Sequence, residues 1–195
     1  MDLQLAAFKL GTNGFYGNGI DEWGLDSLVC TSLLRERGWD ITALFVDYGQ
    51  KALTAESSAV RDVASIQGIE LHTVAVTVGK DFGQGPIVGR NTALVAIAQM
   101  AAKPVHSAIA LGIHAGTEYY DCSPTFFQRM STLVVENSGG KIELLAPLLH
   151  WSKSQVVDYA IDRGLPMSET YSCENGTLPP CGECLSCHDR GVFEC

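Results

Sequence analysis

The chain has 195 residues, 46% hydrophobic and 18% charged, which is enough for one sizeable core and too few for two ordinary domains. Its formal net charge of -9 argues against binding long nucleic acids, because phosphate backbones are held mostly by Lys and Arg. No apolar run is long enough to span a membrane, and residues 1–10 lack the basic flank and cleavage site of a signal peptide. We therefore expect a cytoplasmic protein without membrane partners.

After residue 26, short apolar runs alternate with amphipathic helical stretches, which is typical of a doubly wound parallel sheet. The first predicted elements are a helix, a strand, a helix and a strand, over Ser27–Arg37, Ile41–Val46, Ala52–Gln67 and Leu71–Val76. Gly38 and Gly68 follow the two helices directly, and glycine is the residue that most often ends a helix.

The glycine-rich segment Gly79–Gly89 predicts a loop before the second half of the sheet. The elements predicted beyond it are a helix, a strand, a helix, a strand and a helix, over Thr92–Ala102, Ser107–Leu111, Pro124–Val135, Ile142–Leu145 and Ser152–Arg163. The sequence after Gly164 is loop-rich and holds five of the chain's seven cysteines, four of them closely spaced between residues 173 and 187. We therefore predict an α/β domain over residues 1–165 and a C-terminal module over residues 166–195.

The first 23 residues fit this scheme poorly. Leu3–Leu10 has the composition of a strand, and we place the first strand there. Gly11–Gly19 contains four glycines and two asparagines, which is more turn-forming sequence than a strand-to-helix connection needs. This second segment predicts a turn.

The four C-terminal cysteines, Cys173, Cys181, Cys184 and Cys187, have the spacing of a metal site. Two residues between ligands let a tight turn direct both sulfurs at one tetrahedral ion, and Gly182 eases that turn. Zinc would stabilise a segment with little apolar surface to bury. The alternative is a set of free or disulfide-bonded thiols. We favour structural zinc with a closed coordination shell and no catalysis at the metal.

A ligand site is expected where the strands of the sheet end. In an open parallel sheet, ligands bind beyond the carboxyl ends of the strands, where helix N-termini present unsatisfied N–H groups. Four segments should converge there, and they are Gly24–Ser27, Asp47–Gln50, Gly89–Asn91 and Gly112–Cys122.

These segments carry ordered motifs that resemble one known family. The motifs are Leu25-Asp26-Ser27-Leu28, Val46-Asp47-Tyr48-Gly49-Gln50, Gly89-Arg90-Asn91, Tyr119-Tyr120-Asp121-Cys122, Pro147-Leu148 with Ser152-Lys153, and Ser172-Cys173 through Cys187 with Arg190. Together they resemble the 7-cyano-7-deazaguanine synthase (QueC) family of PP-loop ATP pyrophosphatases. The resemblance implies an adenine nucleotide α-hydrolase-like fold with a C-terminal zinc-binding module.

The resemblance implies an ATP-dependent ligase that converts 7-carboxy-7-deazaguanine and ammonia to 7-cyano-7-deazaguanine in queuosine biosynthesis. The carboxylate would be adenylated and an amide would follow, so the implied cofactors are ATP and Mg²⁺ in addition to structural Zn²⁺. A homodimer is also implied. One alternative is a related enzyme that joins the deazaguanine acid to a protein amine in antiviral defence, and another is a non-catalytic, zinc-stabilised relative.

The resemblance assigns roles to individual residues. The residues expected in catalysis are Asp26, Ser27 and Lys153. Those expected to bind ATP are Gly24, Leu25, Asp26, Ser27, Leu28 and Arg90. Those expected to bind the substrate are Tyr48, Gln50, Asn91, Tyr119 and Asp121.

Several of these side chains also have purely structural interpretations. Asp26 can serve as the N-cap of the following helix, because aspartate is a preferred N-cap residue. Arg90 and Lys153 can be solvated surface charges, since basic residues are usually exposed. Tyr48 and Gln50 can simply close the turn after a strand.

The phosphate loop departs from the family pattern, because Glu22 and Trp23 stand where Ser and the first Gly are expected. A carboxylate facing phosphates costs about 1 to 4 kcal/mol at surface-like dielectric. The loop has shifted to a new arrangement, or the chain is non-catalytic, or residues 1–23 did not evolve with the rest of the domain. This departure puts the activity in question.

Overall fold

The computed structural model describes residues 24–79, 82 and 87–192, together with the backbone of three short strands nearer the N-terminus. The strands are β1 Gln4–Leu5, β2 Phe8–Lys9, β3 Gly17–Gly19, β4 Trp39–Asp40, β5 Thr42–Asp47, β6 Glu70–Ala75, β7 Ala108–Leu111 and β8 Glu143–Leu145. The helices are α1 Leu25–Glu36, α2 Leu53–Gln67, α3 Arg90–Ala101, α4 Pro124–Asn137, α5 Lys153–Asp162 and α6 Leu185–Val192. Short 3-10 turns occupy Tyr120–Cys122 and Met167–Glu169.

The strands that carry the fold run parallel. β5 pairs in parallel with β3 on one side and with β6 on the other, and β7 pairs in parallel with β8. The described strands thus form two hydrogen-bonded three-stranded sheets, β3-β5-β6 and β1-β7-β8, in which β1 pairs antiparallel with β7. β3 lies near both β1 and β7. The chain therefore has an α/β fold with parallel strands, as the alternating pattern predicts.

The core lies along β5 and β7, whose side chains are almost all buried. β7 is Ala-Ile-Ala-Leu and β5 begins Thr-Ala-Leu-Phe-Val, and such continuous apolar runs suit strands covered on both faces. α1 packs against α5, and α3 packs against α4. The first turns of α1 and α5 are thereby brought together beyond the ends of the strands.

The predictions for the first 23 residues are wrong in two respects. The segment expected to be one strand is two short ones, because Gln4–Leu5 pairs antiparallel with β7 whereas Phe8–Lys9 pairs with β4. Gly17–Gly19, expected in a turn, forms β3 in register with Ala43–Phe45. Backbone pairing with β5 decides this conformation, since Gly-Asn-Gly offers almost no apolar side chain to reveal a strand.

The C-terminal segment contains a helix that the sequence pattern did not predict. α6 begins directly after Cys184, and its Arg190 ties it to the preceding loop. The Arg190 guanidinium donates to the carbonyl oxygens of Thr170 and Met167 and to the Ser172 hydroxyl. An eight-residue helix would be marginal alone, so its neighbours stabilise it.

Candidate functional site

Asp26 and Lys153 form a close ion pair between two helix N-termini. The Lys153 Nζ lies 2.7 Å from Oδ1 and 2.8 Å from Oδ2 of Asp26. The Asp26 side chain is 7% exposed and that of Lys153 is 23% exposed. The structure thus places together two residues that the resemblance assigns to catalysis.

The carboxylate of Asp26 stays ionised in spite of its burial. Burial alone would raise the pKa of Asp26, but the Lys153 ammonium and the neighbouring His114 outweigh it and hold that pKa well below its usual range. A buried carboxylate whose pKa is shifted by a specific charged partner marks a candidate functional site.

Both helices begin without using these side chains as caps. Gly24 is the N-cap of α1 and makes no side-chain cap hydrogen bond, so the N-cap interpretation of Asp26 is wrong. The α5 N-terminus is closed by a capping box in which Ser152 accepts from the amide of Gln155 and Gln155 accepts from the amide of Ser152. The capping box fixes the start of α5 and therefore the backbone position of Lys153.

His114 belongs to this group of side chains, and the sequence analysis did not single it out although it lies in the segment Gly112–Cys122 that was expected here. It follows β7, is 2% exposed, and places Nε2 3.6 Å from Oδ2 of Asp26. Its Nδ1 accepts a hydrogen bond of 2.9 Å from the amide of Gly116. A histidine just beyond a buried strand is the sequence feature that could have identified it. The motif comparison did not include His114, because this residue lies between the matching motifs.

The other residues expected near ATP are mostly buried. Ser27 and Leu28 are fully buried, Leu25 is nearly so, and Arg90 is 8% exposed at the start of α3. The Ser27 carbonyl accepts from the Thr31 hydroxyl within α1. Arg90 is therefore not the solvated surface charge of the alternative interpretation.

Tyr48 and Gln50 close the turn after β5 with inward-facing side chains. Gln50 Oε1 accepts from the amide of Tyr48, and its Nε2 donates to the Val46 carbonyl and to the buried carboxylate of Glu56. The Tyr48 ring packs edge-on against Phe82 at 5.5 Å. These contacts are those of the turn-closing interpretation, and the substrate-binding roles stay predictions.

Asn91 and Asp121 meet between the start of α3 and the 3-10 turn Tyr120–Cys122. The Asn91 Nδ2 donates to the Asp121 carbonyl at 3.1 Å, and the Asn91 amide faces the Asp121 carboxylate at 3.5 Å. The two predicted substrate residues are thus neighbours across two elements.

A cavity of about 400 Å³ separates the loop after β7 from α6. Its walls are Gly116, Thr117, Glu118, Tyr119, Leu185, Ser186 and Asp189. Gly116 also contacts His114 and approaches the backbone of Lys153, so this wall links the cavity to the Asp26–Lys153 pair, although neither side chain of the pair lines it. The residues of α6 in this wall were not predicted, because the helix itself was not.

The four predicted cysteine ligands converge on one point. The sulfurs of Cys173, Cys181, Cys184 and Cys187 all lie within 4.8 Å of one another, and those of Cys181 and Cys187 are 3.9 Å apart. Four thiolates on one zinc, at about 2.3 Å each, would be about 3.8 Å apart. The cluster can therefore hold a metal ion.

Backbone amides surround these sulfurs as they do in metal-binding turns. Amides of Cys181, Glu183 and Cys187 point at the sulfurs of Cys173, Cys181 and Cys184 at 3.3 to 3.5 Å. Burial opposes ionisation of Cys173, but the Cys181 amide and the Thr177 hydroxyl lower the pKa of its thiol to about 5. Backbone amides also lower the pKa of Cys181, whereas burial raises the pKa of Cys184 and of Cys187, so the surroundings favour the thiolate form at two of the four sulfurs.

Two features lie outside what the structure describes. Glu22 and Trp23, the departures in the phosphate loop, precede the described segment at Gly24, and most of the Gly79–Gly89 loop is likewise outside it. Within the described residues, no helix combines the length and the apolar character needed to cross a membrane.

Comparison with known proteins identifies relatives of this chain. The family model described as "Queuosine biosynthesis protein QueC" matches residues 22–88 and 84–192. A 7-cyano-7-deazaguanine synthase of Synechococcus sp. (strain CC9902) is 33% identical over 196 residues, covering 86% of this chain and 87% of the relative. That of Prochlorococcus marinus (strain MIT 9303) is 31% identical with the same coverage.

A solved structure has a similar fold. The U34-tRNA thiolase NcsA from Methanococcus maripaludis, solved with its [4Fe-4S] cluster, superimposes with a TM-score of 0.56 and 18% identity over 92% of this chain and 63% of its own. At that identity the likeness shows the fold alone. The family match covers most of the chain and the relatives align over nearly their whole length, so this chain belongs to the QueC family.

Proposed function

We propose that this chain is an ATP-dependent ligase that converts 7-carboxy-7-deazaguanine and ammonia to 7-cyano-7-deazaguanine. The observation that carries the proposal is the buried Asp26–Lys153 pair beside a cavity of about 400 Å³. The name shared by the relatives supplies the product, and a nitrile product favours ammonia over a protein amine as the nucleophile.

The chemistry requires the substrate carboxylate to become a better electrophile. Its oxygen attacks the α-phosphorus of ATP, and pyrophosphate leaves with the electron pair of the broken P–O bond. Ammonia then attacks the carbonyl carbon, AMP leaves, and an amide forms. The amide oxygen needs a second activation of the same kind before it leaves and the nitrile forms.

The charges near α1 and α5 suit the phosphates in this scheme. Lys153 would neutralise developing charge on the phosphate oxygens, and the backbone amides of the first turn of α1 would add fixed dipoles. ATP brings Mg²⁺, which prefers carboxylate oxygen, and Asp26 is the residue here that would hold it. Arg90 is proposed as a second cation toward the ligand.

The cavity beside this pair suits the base. Tyr119 and Leu185 provide apolar surface for a flat ring, while the carboxylates of Glu118 and Asp189 provide acceptors for ring and exocyclic N–H groups. An acidic pocket repels a triphosphate, so the two ligands would occupy separate parts of one site. We propose that Asn91 and Asp121 bind the substrate at the edge of this cavity. Tyr48 and Gln50 are proposed to bind it from the turn that follows β5.

We propose that the four-cysteine cluster holds structural Zn²⁺. One ion explains sulfurs within 4.8 Å of one another, whereas a [4Fe-4S] cluster binds each thiolate to a different iron and holds the sulfurs farther apart. Four protein ligands leave no open position, so the metal would stabilise a module over residues 166–195 beside the α/β domain over residues 1–165. Elemental analysis of the purified protein decides between zinc and iron.

Turnover is tested with the zinc-loaded full chain, 7-carboxy-7-deazaguanine, ATP, Mg²⁺ and ammonium. Mass spectrometry should detect the nitrile, with AMP and pyrophosphate as co-products. Lys153→Met should abolish turnover, while Lys141→Met, on an exposed segment, should leave it unchanged. If the wild type forms no product and ATP–Mg²⁺ leaves its melting temperature unmoved, the proposal fails.

The family resemblance also implies a homodimer in the cytoplasm, and we propose both. Light scattering on the eluting protein should give twice the chain mass of 20.9 kDa. A monomer at micromolar concentration would contradict the proposed dimer and would leave the proposed reaction unaffected.

A further inference from the structure

His114 is locked in one orientation by the loop that follows β7. Its ring is 2% exposed, and Nδ1 accepts the 2.9 Å hydrogen bond from the Gly116 amide. A neutral imidazole has one donor and one acceptor nitrogen, so an accepting Nδ1 places the proton on Nε2.

The protonated nitrogen faces the carboxylate of Asp26. Nε2 is 3.6 Å from Oδ2, slightly longer than a direct hydrogen bond, while both oxygens of Asp26 already accept from Lys153. A displacement of about half an ångström would turn this contact into a hydrogen bond. His114 is thus a second donor available to a carboxylate that has little access to water.

Gly116 is the residue type that this arrangement requires. A Cβ at position 116 would lie 2.8 Å from both Nδ1 and Cε1 of His114 and 3.2 Å from the backbone nitrogen of Lys153. The first two distances are shorter than side chains tolerate, so the requirement comes from close approach and not from backbone angles. The same glycine therefore fixes the orientation of the His114 ring and packs against the start of α5.

We infer that His114 is a positioning residue, fixed as its Nε2–H tautomer by Gly116, that holds Asp26 in place when Lys153 turns to the phosphates. This inference rests on the proposed function, because a phosphate ligand is what would draw Lys153 away. Asp26 would then lose two hydrogen bonds at a buried site, and a carboxylate left with none is costly. His114 provides the replacement without any movement of the backbone.

The tautomer can be observed directly in the full-length, zinc-loaded protein. Side-chain ¹⁵N spectra distinguish protonated from unprotonated ring nitrogens, and His114→Asn identifies which signals belong to residue 114. We expect a protonated Nε2 and an unprotonated Nδ1. A protonated Nδ1, or averaged signals from two tautomers, would overturn the inference.

Two substitutions separate positioning from simple packing. In His114→Gln the amide nitrogen reaches the place of Nε2 and still donates to Asp26, whereas the side chain of His114→Asn reaches only the place of Nδ1. We expect His114→Asn to lower kcat about 10- to 100-fold, as loss of a supporting contact typically does, and His114→Gln to retain most of the activity. Both should melt within a few degrees of each other.

The result that contradicts positioning is equal loss in the two variants, or loss that follows their melting temperatures. A wild-type protein that forms no AMP from ATP would instead contradict the proposed function. The ¹⁵N measurement needs no turnover, so it still decides the orientation of His114 in that case.

Discussion

Lys153 reaches across 127 residues of sequence to place its ammonium between the two carboxylate oxygens of Asp26. The contact joins the first turn of α5 to the first turn of α1, and the packing of these two helices supports it. Because Asp26 is 5% exposed, its charge depends on this partner.

Lys153→Met keeps the length of the side chain but leaves the Asp26 carboxylate without its ammonium. We expect the free energy of unfolding to fall by about 3 kcal/mol, the lower end for a broken buried pair, since Lys153 retains some solvent contact. Urea denaturation at neutral pH measures the change. The double variant Asp26→Asn/Lys153→Met removes the uncompensated charge and should recover part of the loss, so a double variant no more stable than the single one would contradict this explanation.

The cysteine cluster predicts that metal content and stability fall together. Cys184→Ser removes one of four ligands, and we expect less than stoichiometric zinc with a melting temperature lower by about 5 to 10 °C. Cys122→Ser is the matched control, because Cys122 is buried outside the cluster and its replacement should leave the metal in place. Full thermal stability of a metal-free Cys184→Ser protein would refute the site.

His106 gives a prediction for acid stability. It is 5% exposed beside β7, and its Nδ1 accepts from the Lys103 amide at 2.8 Å. Burial and the nearby charges of Lys103 and His72 lower its pKa to about 3. The unfolded chain therefore binds a proton below about pH 6.5 that the folded chain refuses, and stability is lost as pH falls from that value toward 3.

His106→Asn keeps an acceptor for the Lys103 amide but cannot titrate. We expect the difference in unfolding free energy between wild type and variant to shift against the wild type by up to about 1.4 kcal/mol per pH unit on acidification. Urea denaturation at several pH values between about 7 and 5 measures it. Any loss of metal from the cysteine cluster in acid affects both proteins alike, so a difference that is independent of pH would contradict the shifted pKa.

The sequence predicted most of the wound domain because each element there combines a periodic apolar pattern with a clear end. α2 ends at Gly68 in the left-handed conformation, and the buried run of β5 lies within one residue of its predicted position. β3 was missed since its Gly-Asn-Gly sequence has no apolar side chain, and pairing with β5 is a long-range effect. α6 was missed for a related reason, because cysteine sulfurs and Arg190 hold it and its own pattern does not.

In the candidate site too, some features could be predicted from the sequence and others depend on long-range packing. Asp26 and Lys153 were predicted from motifs, whereas their contact depends on the packing of α1 against α5, which no local pattern reveals. Gln50 donates to the buried carboxylate of Glu56, a contact that no local pattern reveals, and its substrate-binding role stays a prediction. His114 carried no motif of its own, and its role follows from the approach of Gly116 in three dimensions.

The contact between the proposed C-terminal module and the turn before α2 gives the last prediction. Gly176 has a φ of +69°, and a Cβ there would meet the Lys51 carbonyl oxygen and lie 2.8 Å from the Cα of Ala52. Both clashes are with backbone at the start of α2, which cannot move aside cheaply. Gly176→Ala should therefore lower the free energy of unfolding by about 2 kcal/mol or more and make the module more sensitive to limited proteolysis.

Gly191→Ala is the matched control, because a Cβ there has nothing within 4 Å and α6 favours alanine over glycine. This variant should be neutral or more stable by up to about 1 kcal/mol. Both changes add one methyl group to the same module. A difference in stability between the two variants therefore reports the clash of Gly176→Ala with Lys51 and Ala52, and not the added methyl group itself. Equal stability of the two variants would show that the module does not depend on its contact with Lys51 and Ala52, and that the cysteine cluster alone holds its structure.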